Sequence, residues 1–132
     1  MAKIDDIWTT FQDARKQAER YFKGCESFCN SLAEIIKTDL GCLTDCQHIV
    51  ETQRKEKQLI LAISFRMPDK KTIYVRFVVR KSANDFIVKI EGSDEEFTVP
   101  ENASAREQFA PIVDATYKWL EIKAVEQAWE MP

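Results

Sequence analysis

Four cysteines are the residues of this sequence best suited to chemistry. They form two pairs, Cys25 with Cys29 and Cys42 with Cys46, and the members of each pair are four positions apart. On a helix this spacing puts both thiols of a pair on one face. Two facing pairs could form disulfides or hold a metal ion through four thiolates, which is a common zinc site.

The spacing of the two pairs resembles the twin Cx3C pattern of small mitochondrial intermembrane-space chaperones over about 22 residues. Helix geometry argues against facing pairs, because a helix that continues to Leu40 puts Cys29 about 18 Å from Gly41. A disulfide needs Cα atoms within about 7 Å of each other. Those chaperones are also all-helical, whereas strands follow here. We therefore expect buried free thiols and no metal, and the four-cysteine cluster is the less favoured alternative.

The other reactive side chains form no recognisable catalytic motif. The single histidine, His48, stands beside no nucleophile motif, and the three glycines are too scattered for a phosphate-binding loop. The acidic residues at 94–96 are typical of a solvated turn, and no second acidic motif has metal-binding spacing. The sequence predicts no catalytic residue and no cofactor, and it favours a protein that is not an enzyme.

A long helix is predicted at the start of the chain. Apolar residues recur three and four positions apart from Ile4 to Ile35, which predicts up to about nine helical turns. Gly24 is a candidate kink, and Gly41 is a candidate C-terminal stop. The apolar stripe is wider than a coiled-coil seam, so we favour a core-facing helix over a dimer seam, with both ends of the chain packed on the body.

A change of period to two marks strands from Gln58 onward. Short connections rich in turn-forming residues favour adjacent antiparallel strands. Residues 48–53 are interpreted as a further, first strand, although 43–50 could also form the stripe of a short helix. The alternating apolar stretches are 59–67, 73–79, 86–90 and 97–99.

A second helix follows the strands. Ser104 and Glu107 form a capping box, and Pro111 predicts a kink or a short separate first turn. The apolar arc of this helix is wide enough to be buried on two sides, by the body or by a partner chain. The predicted fold is α+β, with a long N-terminal helix, an antiparallel β-meander of four or five strands, and a C-terminal helix packed with the first helix on one sheet face.

Length and composition predict one domain over residues 1–132. The chain is 45% hydrophobic and 31% charged, which is typical of a globular protein. Its first residues contain no apolar leader, and the longest apolar run, 59–63, is too short to cross a bilayer. We therefore expect a cytoplasmic protein that does not contact a membrane.

Charge is unevenly distributed along the chain. Between Arg54 and Lys89 ten basic residues and three acidic residues give a local charge of +7, whereas the whole chain carries −3. The remainder therefore carries −10, and we expect a basic sheet with acidic helices. Strand alternation brings basic, aromatic and aliphatic residues together on the face opposite the core. The predicted partner-binding residues are Arg66, Tyr74, Arg76, Val78, Arg80, Ile87 and Lys89.

Several functions fit that mixed sheet face. The simplest interpretation is a partly exposed surface on which basic side chains lie over apolar neighbours. We favour a non-enzymatic intracellular interaction module, an adaptor, chaperone-like or regulatory protein that binds a protein partner or itself as a homodimer. Nucleic-acid or acidic-ligand binding is an alternative that the pI near 5.3 weakens. A small enzyme with a pocket between helices and sheet is the third possibility.

Overall fold

The structure is a computed structural model that describes residues 3–41, 46–67, 71–103 and 106–130. It confirms the predicted α+β fold. Along the chain a long helix comes first, a five-stranded antiparallel sheet follows, and a second helix comes last. The elements are α1 (Lys3–Asp39), β1 (Cys46–Gln53), β2 (Gln58–Arg66), β3 (Thr72–Ser82), β4 (Asp85–Ile90), β5 (Glu96–Pro100) and α2 (Ala110–Glu130).

The sheet is a simple meander in which each strand pairs with the next along the chain. Residues Leu61, Phe77 and Ile90 lie side by side on its inner face, as period-two alternation requires. Both helices pack on this inner face, α1 against β1 to β3 and α2 against β3. The first-strand interpretation of 48–53 is confirmed, and the strand begins at Cys46. Residues 43–45 lie outside the described residues.

The core lies between the inner sheet face and the second half of α1. Leu32 and Ile36 are fully buried there. The Phe28 ring stacks on Phe86, with centroids 4.1 Å apart, and lies 6.0 Å from Phe109 just before α2. One aromatic cluster therefore joins the first helix, the sheet and the start of the second helix.

Both helix boundaries follow the turn chemistry of the sequence. Gly41 adopts a left-handed backbone with φ of 71° directly after α1, and its N–H donates to the Thr38 carbonyl, so the predicted stop is confirmed. A 3-10 turn, Arg106–Phe109, precedes α2, which confirms the short separate first turn predicted from Pro111. Proline is tolerated in the first turn of a helix because its missing N–H would have no partner there. Ser104 of the capping box lies outside the described residues.

The first helix is longer than the sheet on which it packs. Its 37 residues span about 55 Å, whereas the 11 residues of β3 span about 36 Å. Tyr21 marks the point where α1 leaves the sheet: its hydroxyl donates to the Lys57 carbonyl at 2.6 Å and accepts the Lys81 N–H at 3.0 Å. Every residue from Lys3 to Gln17 is exposed. The expectation that both ends of the chain pack on the body is therefore wrong for α1.

Candidate interaction surfaces

The structure places the seven predicted partner-binding residues together on the outer sheet face, away from both helices. Antiparallel pairing brings Val78 beside Lys89 and Arg80 beside Ile87. Tyr74 pairs with Ser64 one strand away and is largely exposed. The full set on this face is Arg66, Tyr74, Arg76, Val78, Arg80, Ile87 and Lys89.

Acidic side chains neutralise part of the positive charge on the outer face. Arg76 Nε lies 3.3 Å from Glu91 Oε2, and Arg80 Nη2 lies 3.5 Å from Glu96 Oε2. Both acids belong to the segment 91–101, which contains five acidic residues and no basic one. A negatively charged ligand would meet carboxylates beside two of the arginines that should attract it.

Both helices carry a net negative charge, as expected, but it is small, and most of the negative charge outside the basic stretch lies elsewhere in the chain. The bounds of α1 enclose six basic and seven acidic residues, and those of α2 enclose two basic and four acidic residues. Two further basic side chains of the predicted basic stretch cover core aromatics on the inner side: Arg54 lies over Phe22 and Lys81 over Phe86. The charge of the chain is thus segregated within the sheet rather than between the sheet and the helices.

A second surface, which the sequence did not single out, is the projecting segment of α1, residues 3–17. Ile4, Ile7, Trp8 and Phe11 form an apolar stripe along it and remain between 52% and 75% exposed. The Trp8 and Phe11 rings stack at 5.4 Å between centroids. Over the described ranges of the chain no other element covers this stripe. The same heptad pattern becomes core from Phe22 onward.

The end of α2 is a third surface with exposed apolar side chains. Tyr117, Ile122, Val125 and Trp129 are between 55% and 84% exposed, so the described residues do not bury this helix on two sides. Only Ile112, Val113 and Thr116 of the described part of α2 are buried.

An open cleft of about 430 Å³ lies between α2, the end of α1 and the end of β2. Most of its lining is apolar, from residues such as Leu40, Phe65 and Leu120. It occupies the place expected for an enzyme pocket between helices and sheet. The side chains whose pKa values burial shifts, His48, Cys25 and Cys29, do not line it.

His48 belongs to a polar network between β1 and α1. Its Nδ1 lies 2.7 Å from Lys37 Nζ, and its Nε2 lies 3.0 Å from Asn30 Oδ1. An ammonium can only donate, so His48 accepts at Nδ1 and donates its Nε2 hydrogen to Asn30. Burial and the positive charge of Lys37 lower the pKa of His48, and Glu34 partly opposes them. The network gives the buried Lys37 ammonium a hydrogen-bond acceptor, and Lys37 Nζ also lies 3.6 Å from Glu34 Oε1.

Three of the four cysteines lie within the described residues. Cys25 and Cys29 are buried free thiols on α1, Cys46 is buried at the start of β1, and Cys42 lies outside the described residues. Burial raises the pKa of Cys25, and it raises the pKa of Cys29 to about 12. In the part of the chain that the structure describes, no three His, Cys, Asp or Glu side chains are placed to hold a metal ion.

Comparison with known proteins adds no functional information. Protein-family models, curated proteins and solved structures yield no match to this chain. Neither helix, over its described length, has a stretch long and apolar enough to cross a membrane. The function must therefore be argued from the surfaces themselves.

Proposed function

We propose that this protein is a non-enzymatic interaction module that associates with a second copy of itself through the projecting segment of α1. The observation that carries the proposal is the uncovered stripe of Ile4, Ile7, Trp8 and Phe11. Single exposed apolar residues are common on protein surfaces, but a contiguous row of large ones is typical of an interface. The stripe has the spacing by which one helix packs on another.

The outer sheet face supports association less well than the α1 stripe does. Arg76 and Arg80 are already paired with acids of the same chain, and Val78 and Ile87 are half-buried. The large apolar side chains still exposed on this face, Ile49 and Tyr74, are fewer than those of the α1 stripe. By contrast, the Trp8 and Phe11 rings are more than half exposed and would lose most of that exposure against another helix.

A cytoplasmic site of action is part of the proposal. The buried thiols of Cys25 and Cys29 support it, because reduced cysteines are typical of that compartment. Binding of nucleic acid by the outer sheet face stays an alternative prediction. Phosphate contacts would make such binding fall steeply with salt, whereas apolar helix association should change little.

Sedimentation over a range of about 1 to 100 µM tests the proposal directly. We expect a monomer that converts reversibly to a dimer as concentration rises, and a shift to monomer in the double variant Trp8→Ala and Phe11→Ala. The matched control is Val125→Ala with Trp129→Ala, which removes similar exposed apolar area from α2. A wild-type chain that stays monomeric throughout, or a dimer that only the α2 variant weakens, would contradict the proposal.

A further inference from the structure

The strand β1 forms one edge of the sheet and lacks the features that usually protect an edge. It pairs residue for residue with β2 along its whole length, and its eight residues include no lysine, arginine or proline. The other edge, β5, has five residues, begins with Glu96 and ends with Pro100. Short length, charge and proline keep exposed edges from pairing with other chains. By these criteria β5 is protected and β1 is open to an added strand.

The register of the sheet shows which backbone groups of β1 are directed away from it. Met67, opposite Lys71, donates its N–H to the Lys71 carbonyl at 2.8 Å. Bonded and non-bonded pairs alternate in an antiparallel sheet, so the even-numbered residues of β2 bond to β1. The β1 residues opposite them are Gln47, Ile49 and Glu51. The residues whose N–H and C=O groups point away from the sheet are therefore His48, Val50 and Thr52. Among the described residues, no backbone hydrogen bond outside the ladder involves these groups.

The outer side of this edge offers apolar contact to an added strand. Ile49 is 70% exposed and Tyr74 is 68% exposed, and both line a shallow hollow of about 230 Å³ together with Ala62 and Ser64. Because the Ile49 backbone bonds to β2, Ile49 would be a non-bonded partner of the added strand, where opposed side chains lie closest. A large apolar residue opposite Ile49 would cover it.

Carboxylates border the middle of the same edge. Asn30 Oδ1 lies 3.0 Å from His48 Nε2, so this side of α1 runs along β1. Glu26 and Glu34 lie one turn before and one turn after Asn30, and both are exposed, as is Glu51 on the outer face of β1. A second copy would present β1 again, which has no basic residue to meet these carboxylates. Lysine or arginine side chains on an added strand would meet them.

We propose that the β1 edge binds an extended, basic segment of a partner protein, which adds a strand to the sheet. Antiparallel pairing is the more stable arrangement, and in it a large apolar residue lies opposite Ile49. Basic residues lie opposite His48 and Val50, below α1, and opposite Glu51. Glu34 already pairs with Lys37, so Glu26 and Glu51 gain most from these charges. The turn at 54–57 is itself basic, which confines the basic positions of the partner to the middle of the edge. The site lies apart from the projecting segment and goes beyond the self-association proposed above.

Amide hydrogen exchange, followed by NMR, tests this site with a synthetic peptide. The probe is the capped peptide Thr-Lys-Lys-Val-Lys-Val-Thr. We expect the amide hydrogens of His48, Val50 and Thr52 to exchange more slowly as the peptide is added, because the peptide supplies their hydrogen-bond acceptors. The amides of Ile49 and Glu51 should be protected from the start. A peptide with glutamate in place of its three lysines reverses each charge pair and should bind at least about tenfold more weakly.

Proline on the two sheet edges supplies a matched pair of variants. Val50→Pro removes an outward N–H without breaking the β1–β2 ladder and should abolish peptide binding. Thr98→Pro makes the same change on β5, where the Glu101 N–H bonds to the Asn84 carbonyl and alternation turns Thr98 outward. This control should bind the peptide like wild type. Circular dichroism and a protected Ile49 amide would verify that Val50→Pro is folded.

Several outcomes would overturn this inference. They are unchanged exchange at the three outward amides, equal binding of the lysine and glutamate peptides, and equal binding by the two proline variants. Outward amides that become protected as protein concentration rises, without peptide, would show that the edge pairs with a second copy and would also overturn it. The variant Trp8→Ala with Phe11→Ala should bind the peptide like wild type. A failure of self-association through α1 therefore leaves this site intact, and loss of peptide binding leaves the self-association intact.

Discussion

Lys37 is a charged side chain in the core, and its position depends on the histidine beside it. The residue is only 6% exposed, and a buried ammonium is costly unless hydrogen bonds and an opposite charge compensate it. His48 Nδ1 and Glu34 supply that compensation on one side of α1. Protonation of His48 would replace an acceptor with a second positive charge beside the ammonium.

Stability should therefore fall in mild acid. The folded state lowers the pKa of His48 below its ordinary value of 6.5, so the unfolded chain binds more protons once the pH drops below that value. We expect the contribution of His48 to the free energy of unfolding to be complete above pH 6.5 and to decrease as the pH falls below that value. Urea unfolding at a series of pH values measures this dependence.

The variant His48→Gln is the control for this pH dependence. Its amide can accept from Lys37 and donate to Asn30 but does not titrate in this range. The stability of the variant should change less than that of wild type between about pH 7.5 and 5. Equal slopes in the two proteins would show that His48 is not the responsible group.

Cys25 and Cys29 should be protected from alkylation in the native protein. Both are buried and burial raises the pKa of both, and thiols react as thiolates. We expect N-ethylmaleimide to modify them only when the fold opens, at a rate that rises with urea, as measured by mass spectrometry of peptides. Ser27→Cys places a thiol on the exposed face of the same helix and should react at once. Rapid native labelling of Cys29 would contradict the burial described above.

At the scale of elements, the two parts of α1 differ in what they contribute to folding stability. Its second half is buried against the sheet, whereas every residue from Lys3 to Gln17 is exposed. The Tyr21 hydroxyl, held by two backbone groups, lies at the boundary between the halves. The contribution of α1 to folding stability should therefore come from the residues that follow Tyr21.

Substitutions in the two halves of α1 should differ sharply in their effect on stability. We expect Trp8→Glu with Phe11→Glu to change the free energy of unfolding by less than about 0.5 kcal/mol, since both residues are exposed. Leu32→Ala, in the buried half, should cost about 3 kcal/mol through the cavity that it leaves. Urea unfolding at low protein concentration measures both, because association would otherwise add stability. A large loss in the glutamate variant would show that the projecting segment is docked.

Particular elements show how far the sequence could predict the fold. The strands could be predicted because apolar and polar residues alternate along them, which reflects burial of a single sheet face. The short turns between the strands predicted that each strand pairs with the next. The heptad stripe of α1 was less informative, because a helix that faces a core and one that faces a partner need the same apolar spacing. Comparison of lengths was the missed signal: a helix of about 55 Å must overhang strands of at most about 36 Å.

At the scale of the whole molecule, the clustering of basic residues in the sheet could be predicted from the sequence. The ion pairs that these residues form could not. The basic stretch between Arg54 and Lys89 and the seven outer-face residues follow from counting and alternation. The contacts of Arg76 with Glu91 and of Arg80 with Glu96 depend on how the β4 and β5 ends align with β3. That alignment is a property of the folded sheet and not of local sequence.

The two ion pairs predict weak binding of polyanions. Glu91→Gln with Glu96→Gln would free both arginines and remove two negative charges, so we expect the variant to elute from a heparin column at higher salt than wild type. Glu126→Gln with Glu130→Gln makes the same charge change on α2 and is the matched control. Equally late elution of both variants would assign the effect to net charge rather than to the outer sheet face.

The two exposed helix ends lie at opposite ends of the protein, which decides which surfaces a dimer would present. The α1 segment leaves the sheet at the β1–β2 turn, whereas α2 continues past the cleft at the other end, where Leu40, Phe65 and Ala124 meet. A dimer joined through α1 would present two exposed α2 ends, each on the side of its body away from the joined segments. Such a dimer would be bivalent toward any target that the α2 ends bind, and a target with repeated sites would hold it by avidity even where each single contact is weak.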